Sequence, residues 1–460
     1  MKRAVSVLLI ICMAFCAGCG EANPTVDVEA QLLEADRLFS EGSYEEVIST
    51  LEAVLELEPA TVKGYLRLSD AYIAKGEEDK ALELLQRGLD LTGDEEIAAR
   101  IQDMTEEFIR VVDVSNNKNT TLILAENGDL YYCGITPRWD VEESLAVPKK
   151  IDGASNIKEL MVHPYGCYYI TNDNELYGWG DCVPPLDFNY NAYGSDYSIP
   201  RKIANNVKKI SCDGEGGFES GGGLLLLTNG ALYSWGDNAN GELGRGYPFN
   251  ETWDDNTWVS RWHKGIVMYN VADINYAING DLAQACAVTF DGRLYVWGGI
   301  EEIEQDGEKV IVRYNVPQMI ANKMVKAAIY DQGILGIDKD NNLVKVCWES
   351  PGLSNVKVTT ILEDVKEFEC TTDYYVALGM DGTVYTGSSS NDARQMEGGP
   401  KPIGGVKAAA ISIGGEAHTV STFAITEKGK LLAWGNNEDG QLGIGNDIQG
   451  EEIFEVKLPQ

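Results

Sequence analysis

The sequence predicts a multidomain chain in which a small all-α module of helical hairpins precedes an all-β propeller of seven blades. Three observations carry this prediction. Residues of matching kind recur at intervals of 34 between Ala35 and Gly93. A hairpin string, clearest at Asn229–Gly236, occurs seven times after residue 120, and a strand-like segment precedes each copy. Repetition at such periods is typical of stacked repeat architectures.

Residues 1–18 have the organisation of an export signal. Lys2-Arg3 precedes an apolar run that ends at Cys16–Cys19 and is shorter than the roughly 20 residues of a membrane-spanning helix. The ending resembles a bacterial lipobox, which implies lipidation of the Cys19 thiol. A plain secretory signal and an uncleaved anchor stay open as alternatives. With residues 19–27 as a polar tether, the lipobox predicts a lipid-anchored protein on the extracytoplasmic face of a bacterial membrane.

The 34-residue period predicts paired helices over residues 28–108. Gly42 and Gly76 mark the turns between the two helices of each pair. Small residues at Ala35, Ser69 and Ala81 fall where paired helices must approach closely. These positions predict two helical hairpins that pack against each other.

The second hairpin carries a recognisable motif. Tyr65-x-x-Leu68-Ser69-x-x-Tyr72, followed by Ala81-x-x-x-Leu85, is similar to the tetratricopeptide motif. Residues 96–110 read as a closing helix over the open end of the repeats. The resemblance implies a module that binds peptides or partner proteins in a concave groove, and with so few repeats a spacer role stays open.

From residue 109 the apolar pattern changes from helical to alternating, which predicts strands. In the clearest hairpin, an Asn-Gly link follows an apolar run, and we expect positive φ at both Asn229 and Gly230. The seven copies begin at Asn127, Asp173, Asn229, Asp291, Asp340, Asp381 and Lys428. The segments expected to open the units begin at Ile109, Ile157, Val207, Val271, Val325, Val365 and Val406. Seven units with about four strands each predict a seven-bladed propeller over residues 109–460.

Prolines stand near several predicted unit boundaries, at Pro148, Pro200, Pro317 and Pro402, and we interpret them as links between units. The final segment, around residues 454–459, is expected to complete a blade beside the first one. How the ring closes is not specified by the pattern.

The repeated D/N-G-x-L-Y-x-W-G string resembles the regulator-of-chromosome-condensation repeat family, as do Asn238-x-x-Gly241-Glu-Leu-Gly244-x-Gly246 and Asn437-x-x-Gly440-Gln-Leu-Gly443-x-Gly445. The resemblance covers residues 109–460 and implies a rigid disc whose loops contact other macromolecules. Nucleotide exchange on a small GTPase and chromatin contact, known for the founding member, are not expected here, because the chain has an export signal and lacks a basic tail. The G-x-L-G tail survives in two units, so the loops after the other five have diverged, and the hairpin at Asn229-Gly230 is expected to have a structural role.

The formal net charge of −35 excludes nucleic acid as a partner, because phosphate backbones bind clustered cations. The sequence also contains no cofactor motif. The glycine-rich segment 213–223 lacks the lysine and following helix of a phosphate-binding loop.

Metal and nucleophile motifs are absent from the pattern as well. Seven cysteines follow Cys19, without C-x-x-C spacing, and we interpret them as mostly core residues with a single disulfide left open. The histidines His163, His263 and His418 lie near no nucleophile motif. Asp254, Asp255 and Asp439 lack the order of a calcium loop, and hairpin chemistry explains them better. We therefore predict no metal site and no catalytic residues.

An aromatic insertion between the third and fourth hairpins contains Trp253, Trp258, Trp262 and His263. Because tryptophan is enriched at binding hot spots, these residues are a candidate surface for a protein or a glycan. A loop packed on its own tryptophans explains them equally directly.

Together these observations favour a non-enzymatic scaffold for protein–protein interaction at the cell envelope, with an unidentified protein partner. Two alternatives stay open. One is a glycan-binding module that uses the tryptophan insertion. The other is an envelope hydrolase with carboxylates in the central channel of the propeller.

Overall fold

The computed structural model describes residues 27–105, 108–135, 144–163, 166–180, 200–213, 222–246, 265–279, 282–305, 308–331, 333–349, 351–388, 400–415, 419–446 and 448–459. The chain forms two compact units, residues 1–107 and residues 108–460. The predicted fold class is confirmed: helices build the first unit, and seven antiparallel sheets build the second.

The described part of the first unit contains five helices. They are α1 (Val28–Ser40), α2 (Tyr44–Leu57), α3 (Val62–Ala74), α4 (Glu78–Thr92) and α5 (Glu95–Thr105). Asp27 caps α1 by accepting a 3.2 Å hydrogen bond from the Ala30 N–H. Gly42 and Gly76 have φ of +74° at the predicted turns, a conformation that favours glycine.

The small residues of the 34-residue period lie where the prediction placed them. Ala35, Ser69 and Ala81 are buried between helices. Around them the apolar faces of the helices form one core that includes Leu51, Leu68 and Leu85.

The second unit consists of seven four-stranded antiparallel sheets, each built from consecutive strands. Blades one and two contain β1 (Val111–Asn116), β2 (Thr120–Ala125), β3 (Leu130–Ile135), β4 (Ser144–Ile151), β5 (Ile157–His163), β6 (Gly166–Thr171), β7 (Leu176–Gly180) and β8 (Arg201–Ala204). Blades three and four contain β9 (Val207–Asp213), β10 (Gly222–Leu227), β11 (Leu232–Gly236), β12 (Gly265–Met268), β13 (Val271–Asn279), β14 (Leu282–Thr289), β15 (Leu294–Gln305) and β16 (Glu308–Ala321). Blades five and six contain β17 (Met324–Tyr330), β18 (Gly333–Asp338), β19 (Leu343–Glu349), β20 (Ser354–Leu362), β21 (Val365–Cys370), β22 (Tyr374–Gly379), β23 (Thr383–Ser388) and β24 (Lys401–Lys407). Blade seven contains β25 (Ala410–Gly414), β26 (Ser421–Ile425), β27 (Leu431–Gly435) and β28 (Gly450–Val456).

The repeated hairpin joins the second and third strands of each blade, but its turn differs from the one expected. At the clearest copy, φ is +80° at Gly230 and not positive at Asn229. The Gly230 N–H donates to the Leu227 carbonyl at 2.9 Å, and the Ala231 N–H donates to the Asn229 side chain at 3.0 Å. This is the longer hairpin turn in which only the last position is left-handed, so the expectation of positive φ at Asn229 was wrong.

We call the first strand of each blade its inner strand. Three of the seven unit openings expected from the sequence are shifted relative to the observed start of a blade. The N–H that donates to the hairpin of the preceding blade belongs to Val111 at the start of β1, to Met324 at the start of β17 and to Ala408 two residues before β25. The expected openings were Ile109, Val325 and Val406. At the last of these, Lys407 pairs with Asp381 of blade six at 2.8 Å. Lys407 also pairs with Thr383 of β23, so the Val-Lys dipeptide belongs to β24 although it looks like the openings of other units.

The prolines near the unit boundaries lie in or beside outermost strands. Pro148, Pro317 and Pro402 are within β4, β16 and β24, and Pro200 directly precedes β8. An outermost strand has a free edge, so a residue without an N–H is tolerated there. Pro148, Pro317 and Pro402 thus belong to the last strands of their blades. The interpretation of these three prolines as links between blades was wrong.

The last strand, β28, pairs with β27 and completes blade seven. Blades one and seven share one core, in which Val111 and Val114 pack with Phe423, Ile425 and Val456. The ring therefore closes between two complete blades, through this packing and through hydrogen bonds such as that from the Val111 N–H to the Gly429 carbonyl.

Candidate functional site

Six hydrogen bonds of one kind define a face of the propeller. In each, the carbonyl of the left-handed residue of a hairpin accepts from a backbone N–H at or just before the start of the next blade's inner strand, at 2.8 to 3.0 Å. The pairs are Val111–Gly429, Val207–Asn174, Val271–Gly230, Met324–Gly292, Val365–Asn341 and Ala408–Gly382. Since every bond places a hairpin tip beside the start of an inner strand, these tips lie at one end of the ring, which we call the hairpin face.

At the same end, six inner strands contain a β-bulge at their second residue. The bulged residues are Val112, Lys158, Lys208, Ala272, Val325 and Lys366. A bulge re-aims side chains at a rim. A cavity of about 630 Å³, lined by residues of the inner strands that include Val112, Lys158 and Glu159, lies inside this rim.

Charged side chains stand at the third position of six inner strands, in the order Asp113, Glu159, Lys209, Asp273, Lys326 and Glu367. Two of the carboxylates bind the backbone of the following blade. Asp113 accepts from the Leu160 N–H at 3.1 Å, and Asp273 accepts from the Ala327 N–H at 3.2 Å.

The fifth position of the inner strands continues this pattern. Ser211 Oγ accepts from the Tyr276 N–H at 2.8 Å, and Asn275 Oδ1 accepts from the Ile329 N–H at 2.8 Å. Glu369 Oε2 accepts from the Ile413 N–H at 3.3 Å. An inner strand has a neighbouring strand on one side only, so some of its N–H groups have no partner within its own sheet. Side chains at the third and fifth positions of the preceding inner strand accept hydrogen bonds from these N–H groups.

Burial raises the pKa of three of these carboxyl groups, Asp113, Glu159 and Glu369. Burial raises the pKa of Asp113 to about 7. The hydrogen bond from the Leu160 N–H lowers this pKa, whereas the nearby charge of Glu369 raises it further. Burial also raises the pKa of Glu369 to about 7, although Lys326 opposes it. Lys209 is held charged in spite of burial, because Asp273 lies at 2.6 Å and raises its pKa.

These raised values alone would suggest an acid–base site. The hydrogen bonds give another account, because Asp113, Asp273 and Glu369 each hold the next blade. The arrangement is a ring of inter-blade contacts. The sequence pattern alone did not reveal this ring of contacts. Once the seven inner strands are aligned at their first residues, six of them have a charged residue at the third position.

Four large apolar side chains are exposed along the hairpin face, from the end of blade three to blade six. Tyr269, Phe290, Val325 and Met380 are 63%, 58%, 52% and 53% exposed, and we call these four residues the apolar sector. Phe290 and Met380 each precede a hairpin Asp-Gly, Val325 is a bulged residue, and Tyr269 precedes the inner strand of blade four. Large exposed apolar side chains on one face of a fold are candidates for an interaction surface.

Lysines border this sector on an otherwise acidic chain. The Lys208 Nζ lies 5.1 Å from the centre of the Phe290 ring. The Lys339 Nζ donates to the Asp291 carbonyl at 3.1 Å, and Lys323 is exposed beside Met324. The sector therefore combines aromatic and aliphatic surface with positive charge.

The two G-x-L-G tails make equivalent contacts at opposite sides of the ring. In blade three, the Gly246 N–H donates to the Asn315 carbonyl of blade four at 2.7 Å. In blade seven, the Gly445 N–H donates to the Ala146 carbonyl of blade one, also at 2.7 Å. Both tails thus tie their blade to the next.

The predicted site residues Cys19, Trp253, Trp258, Trp262 and His263 lie outside the described residues. The same holds for Cys182, Asp254, Asp255 and His418. His163 is the last residue of β5. Asp439 lies in the second G-x-L-G tail, where its carbonyl accepts from Ser144 Oγ at 2.5 Å.

Six cysteines fall within the described residues, and all six are free thiols: Cys133, Cys167, Cys212, Cys286, Cys347 and Cys370. Burial raises the pKa of Cys133 and of Cys370 to about 12, so neither is a reactive thiolate. Among the described residues, no three His, Cys, Asp or Glu side chains converge in a way that would hold a metal ion. No described helix has the length and apolar character needed to span a membrane.

Comparisons with known proteins match both units. Residues 38–102 match the tetratricopeptide repeat family, and residues 428–460 match the regulator of chromosome condensation (RCC1) repeat family. The human E3 ubiquitin-protein ligase HERC2 is 23% identical over 359 residues, which are 73% of this chain and 6% of HERC2. The Arabidopsis thaliana ultraviolet-B receptor UVR8 is 26% identical over 306 residues, which are 63% of this chain and 56% of the receptor.

The chain thus spans only a part of each of these relatives. Among solved structures, human WBSCR16 superposes with a TM-score of 0.51 at 17% identity, covering 69% of this chain and 85% of that one. This likeness concerns the fold. The chain therefore contains a segment that matches the tetratricopeptide repeat, and a seven-bladed β-propeller whose C-terminal part matches the RCC1 repeat.

Proposed function

We propose that the protein is a non-enzymatic scaffold for protein–protein interaction, held by a lipid on Cys19 at the extracytoplasmic face of a bacterial membrane. The apolar sector on the hairpin face is the observation that carries the interaction role. Its four side chains are more than half exposed on a rigid ring, so a partner can bind them without an ordering cost in the propeller. The tetratricopeptide segment adds a second architecture that serves interaction in other proteins.

The hydrolase alternative is weaker, because Asp113, Asp273 and Glu369 are engaged by backbone N–H groups of neighbouring blades. A carboxylate that holds two blades together is poorly placed to exchange protons with a substrate. The glycan-binding alternative depends on the tryptophan insertion, which lies outside the described residues.

The interaction role can be tested by crosslinking in envelope extracts. A photoreactive residue in place of Met380 should yield a discrete crosslinked protein, and Phe290→Asp should abolish this product, because a buried carboxylate opposes an apolar interface. Val358→Asp is a matched control, since Val358 is also 50% exposed but lies on the outermost strand β20. Equal crosslinking from position 380 with and without the Phe290→Asp substitution would contradict the proposal.

The lipid anchor has an independent test. Cys19→Ala should release the protein from the membrane fraction and remove incorporation of a labelled fatty acid. Cys12→Ala is the control, because Cys12 lies in the apolar run upstream of the lipobox. Membrane retention and labelling of the Cys19→Ala protein would rule out the anchor.

A further inference from the structure

The cavity inside the ring has the size of a small-molecule site. Its volume of about 630 Å³ falls within the roughly 300–1,000 Å³ that such sites enclose. The buried side chains of Leu124 and Leu160 form part of its wall, and charged side chains of both signs from five inner strands also line it. We call this space the channel cavity.

Several of the charges around the channel cavity are engaged by the ring itself. Asp113 and Glu369 accept backbone N–H groups of the following blade. Lys209 is paired with Asp273 at 2.6 Å. These four side chains have structural contacts that account for their presence, so a ligand is not needed to explain them.

Glu159 of blade two has no such contact. Its carboxylate lines the channel cavity, is open to water, and makes no hydrogen bond or ion pair with any residue that the structure describes. Burial within the ring nevertheless raises its pKa, and the positive charge of Lys209, beyond ion-pair distance, lowers it. A carboxylate that is surrounded by protein without a partner is destabilising, and in a cavity this favours a role in binding.

A positive charge lies on the far side of the channel. Lys326 of blade five is three blades away from Glu159, and no two blades of a seven-membered ring are farther apart. The Lys326 Nζ donates to the Phe368 carbonyl at 2.9 Å, while the Glu367 carboxylate is 3.8 Å away, too far for a hydrogen bond. An ammonium group has three N–H donors, so the contacts within the described part of the chain leave two of them for a ligand.

We propose that the channel cavity binds a small zwitterion, with an ammonium group at one end and a carboxylate at the other, as in a free amino acid or a short peptide. Its ammonium group binds Glu159, and its carboxylate binds Lys326. A ligand with two positive ends would be repelled by Lys326, and one with two negative ends by Glu159. This binding activity goes beyond the scaffold role and does not depend on it.

Isothermal titration calorimetry of the full-length protein with alanine, dialanine and trialanine tests the proposal. At least one of the three should bind saturably with one site per chain, and the length that binds best reports the span between the two charges. Acetylating the ammonium group of that ligand, or converting its carboxylate to an amide, should weaken binding at least about tenfold, because each change removes one charge-assisted contact.

Two variants assign the ends of the ligand. Glu159→Gln should weaken binding of the free ligand about tenfold and leave binding of the acetylated ligand unchanged. Lys326→Gln, whose amide can still donate to the Phe368 carbonyl, should weaken binding of the free ligand and leave binding of the amidated ligand unchanged. A misfolded variant would instead lose both ligands.

Glu363→Gln is the matched control, because Glu363 is exposed between β20 and β21 and does not line the channel cavity. This variant should bind as the wild type does. No saturable binding, equal binding of the blocked ligands, or equal binding by Glu159→Gln would each overturn the proposal. Crosslinking at the apolar sector is unaffected by any of these results, so failure here is distinct from failure of the scaffold role.

Discussion

The indole Nε1 of Trp297 donates a 2.8 Å hydrogen bond to the main-chain carbonyl of Glu242 and joins blade four to the G-x-L-G tail of blade three. The equivalent carbonyl in blade seven belongs to Gln441, and Thr121 Oγ1 of blade one donates to it at 2.8 Å. The two tails thus offer the same acceptor to the next blade, and different side chains fill the donor position.

Replacing Trp297 with Phe should therefore destabilise the propeller. The indole is fully buried, and its loss leaves the Glu242 carbonyl without this donor, which costs about 1–3 kcal/mol. Urea denaturation followed by circular dichroism measures the change in the free energy of unfolding. Trp348→Phe, at a half-buried position in β19, is the control, and an equal effect of both substitutions would contradict the role of the hydrogen bond.

Gly244→Ala should destabilise the protein more than Gly128→Ala does. Both glycines have positive φ, at +68° and +86°, so both substitutions strain the backbone. An added Cβ at Gly244 would lie 2.5 Å from Trp297 Nε1, whereas one at Gly128 meets nothing within 4 Å. Gly128→Ala should cost about 1 kcal/mol from strain alone, and thermal melting of both variants would reveal the additional cost at Gly244. Equal melting temperatures would show that the tail can move away.

The stability of the propeller should depend on pH through Asp113 and Glu369. Both pKa values rise to about 7 in the folded state, from 3.8 and 4.5. At a pH between the unfolded and the folded pKa, each carboxyl group is still protonated in the folded protein but already ionised in the unfolded chain. The stability from each group is therefore fully present below pH about 4, falls by up to about 1.4 kcal/mol per pH unit, and is lost above pH about 7.

Asp113→Asn and Glu369→Gln keep an oxygen that can accept the N–H of the next blade and remove the titration. In each variant the melting temperature should change less between pH 5 and pH 8 than in the wild type. The groups that face this pair are Glu159, Lys209, Lys326 and Glu367, while blade seven contributes the uncharged Ala410. Asp340→Asn, an exposed carboxyl on the hairpin face, is the control, and an unchanged pH profile in the two channel variants would refute the assignment.

Deleting residues 449–460 should prevent closure of the ring. The deletion removes β28, leaves β27 with a free edge, and removes Val456 from the core shared by blades one and seven. Size-exclusion chromatography should then show aggregation, and thermal unfolding should lose its cooperativity. Deleting only residues 459 and 460 spares β28 and should leave both measurements unchanged; a monomeric, cooperative product of the longer deletion would refute the prediction.

The number of blades could be predicted from the sequence because the hairpin Asp/Asn-Gly string is local. The positions of the turns were also predictable, whereas the turn type at Asn229 was not, since Asn-Gly suits two kinds of hairpin. The inter-blade hydrogen bonds depend on which inner-strand residue faces the next blade. The β-bulges shift that register, so the sequence pattern alone does not identify these residues. The candidate surface was predicted at Trp253–Trp262, while the exposed Phe290 and Met380 look like ordinary strand residues until their positions at hairpin tips are known.

Because each blade is made of consecutive residues, nearly all of the ring can form in the order in which the chain is delivered. The seam between blades one and seven is the exception. Thr121 meets the Gln441 carbonyl across 320 positions of sequence, and Asn116 meets the Ser421 carbonyl across 305. A chain that emerges from its amino end must keep blade one exposed until β28 arrives. The seam thus sets the interval during which an unfinished propeller is vulnerable to proteases and to misassembly with its neighbours.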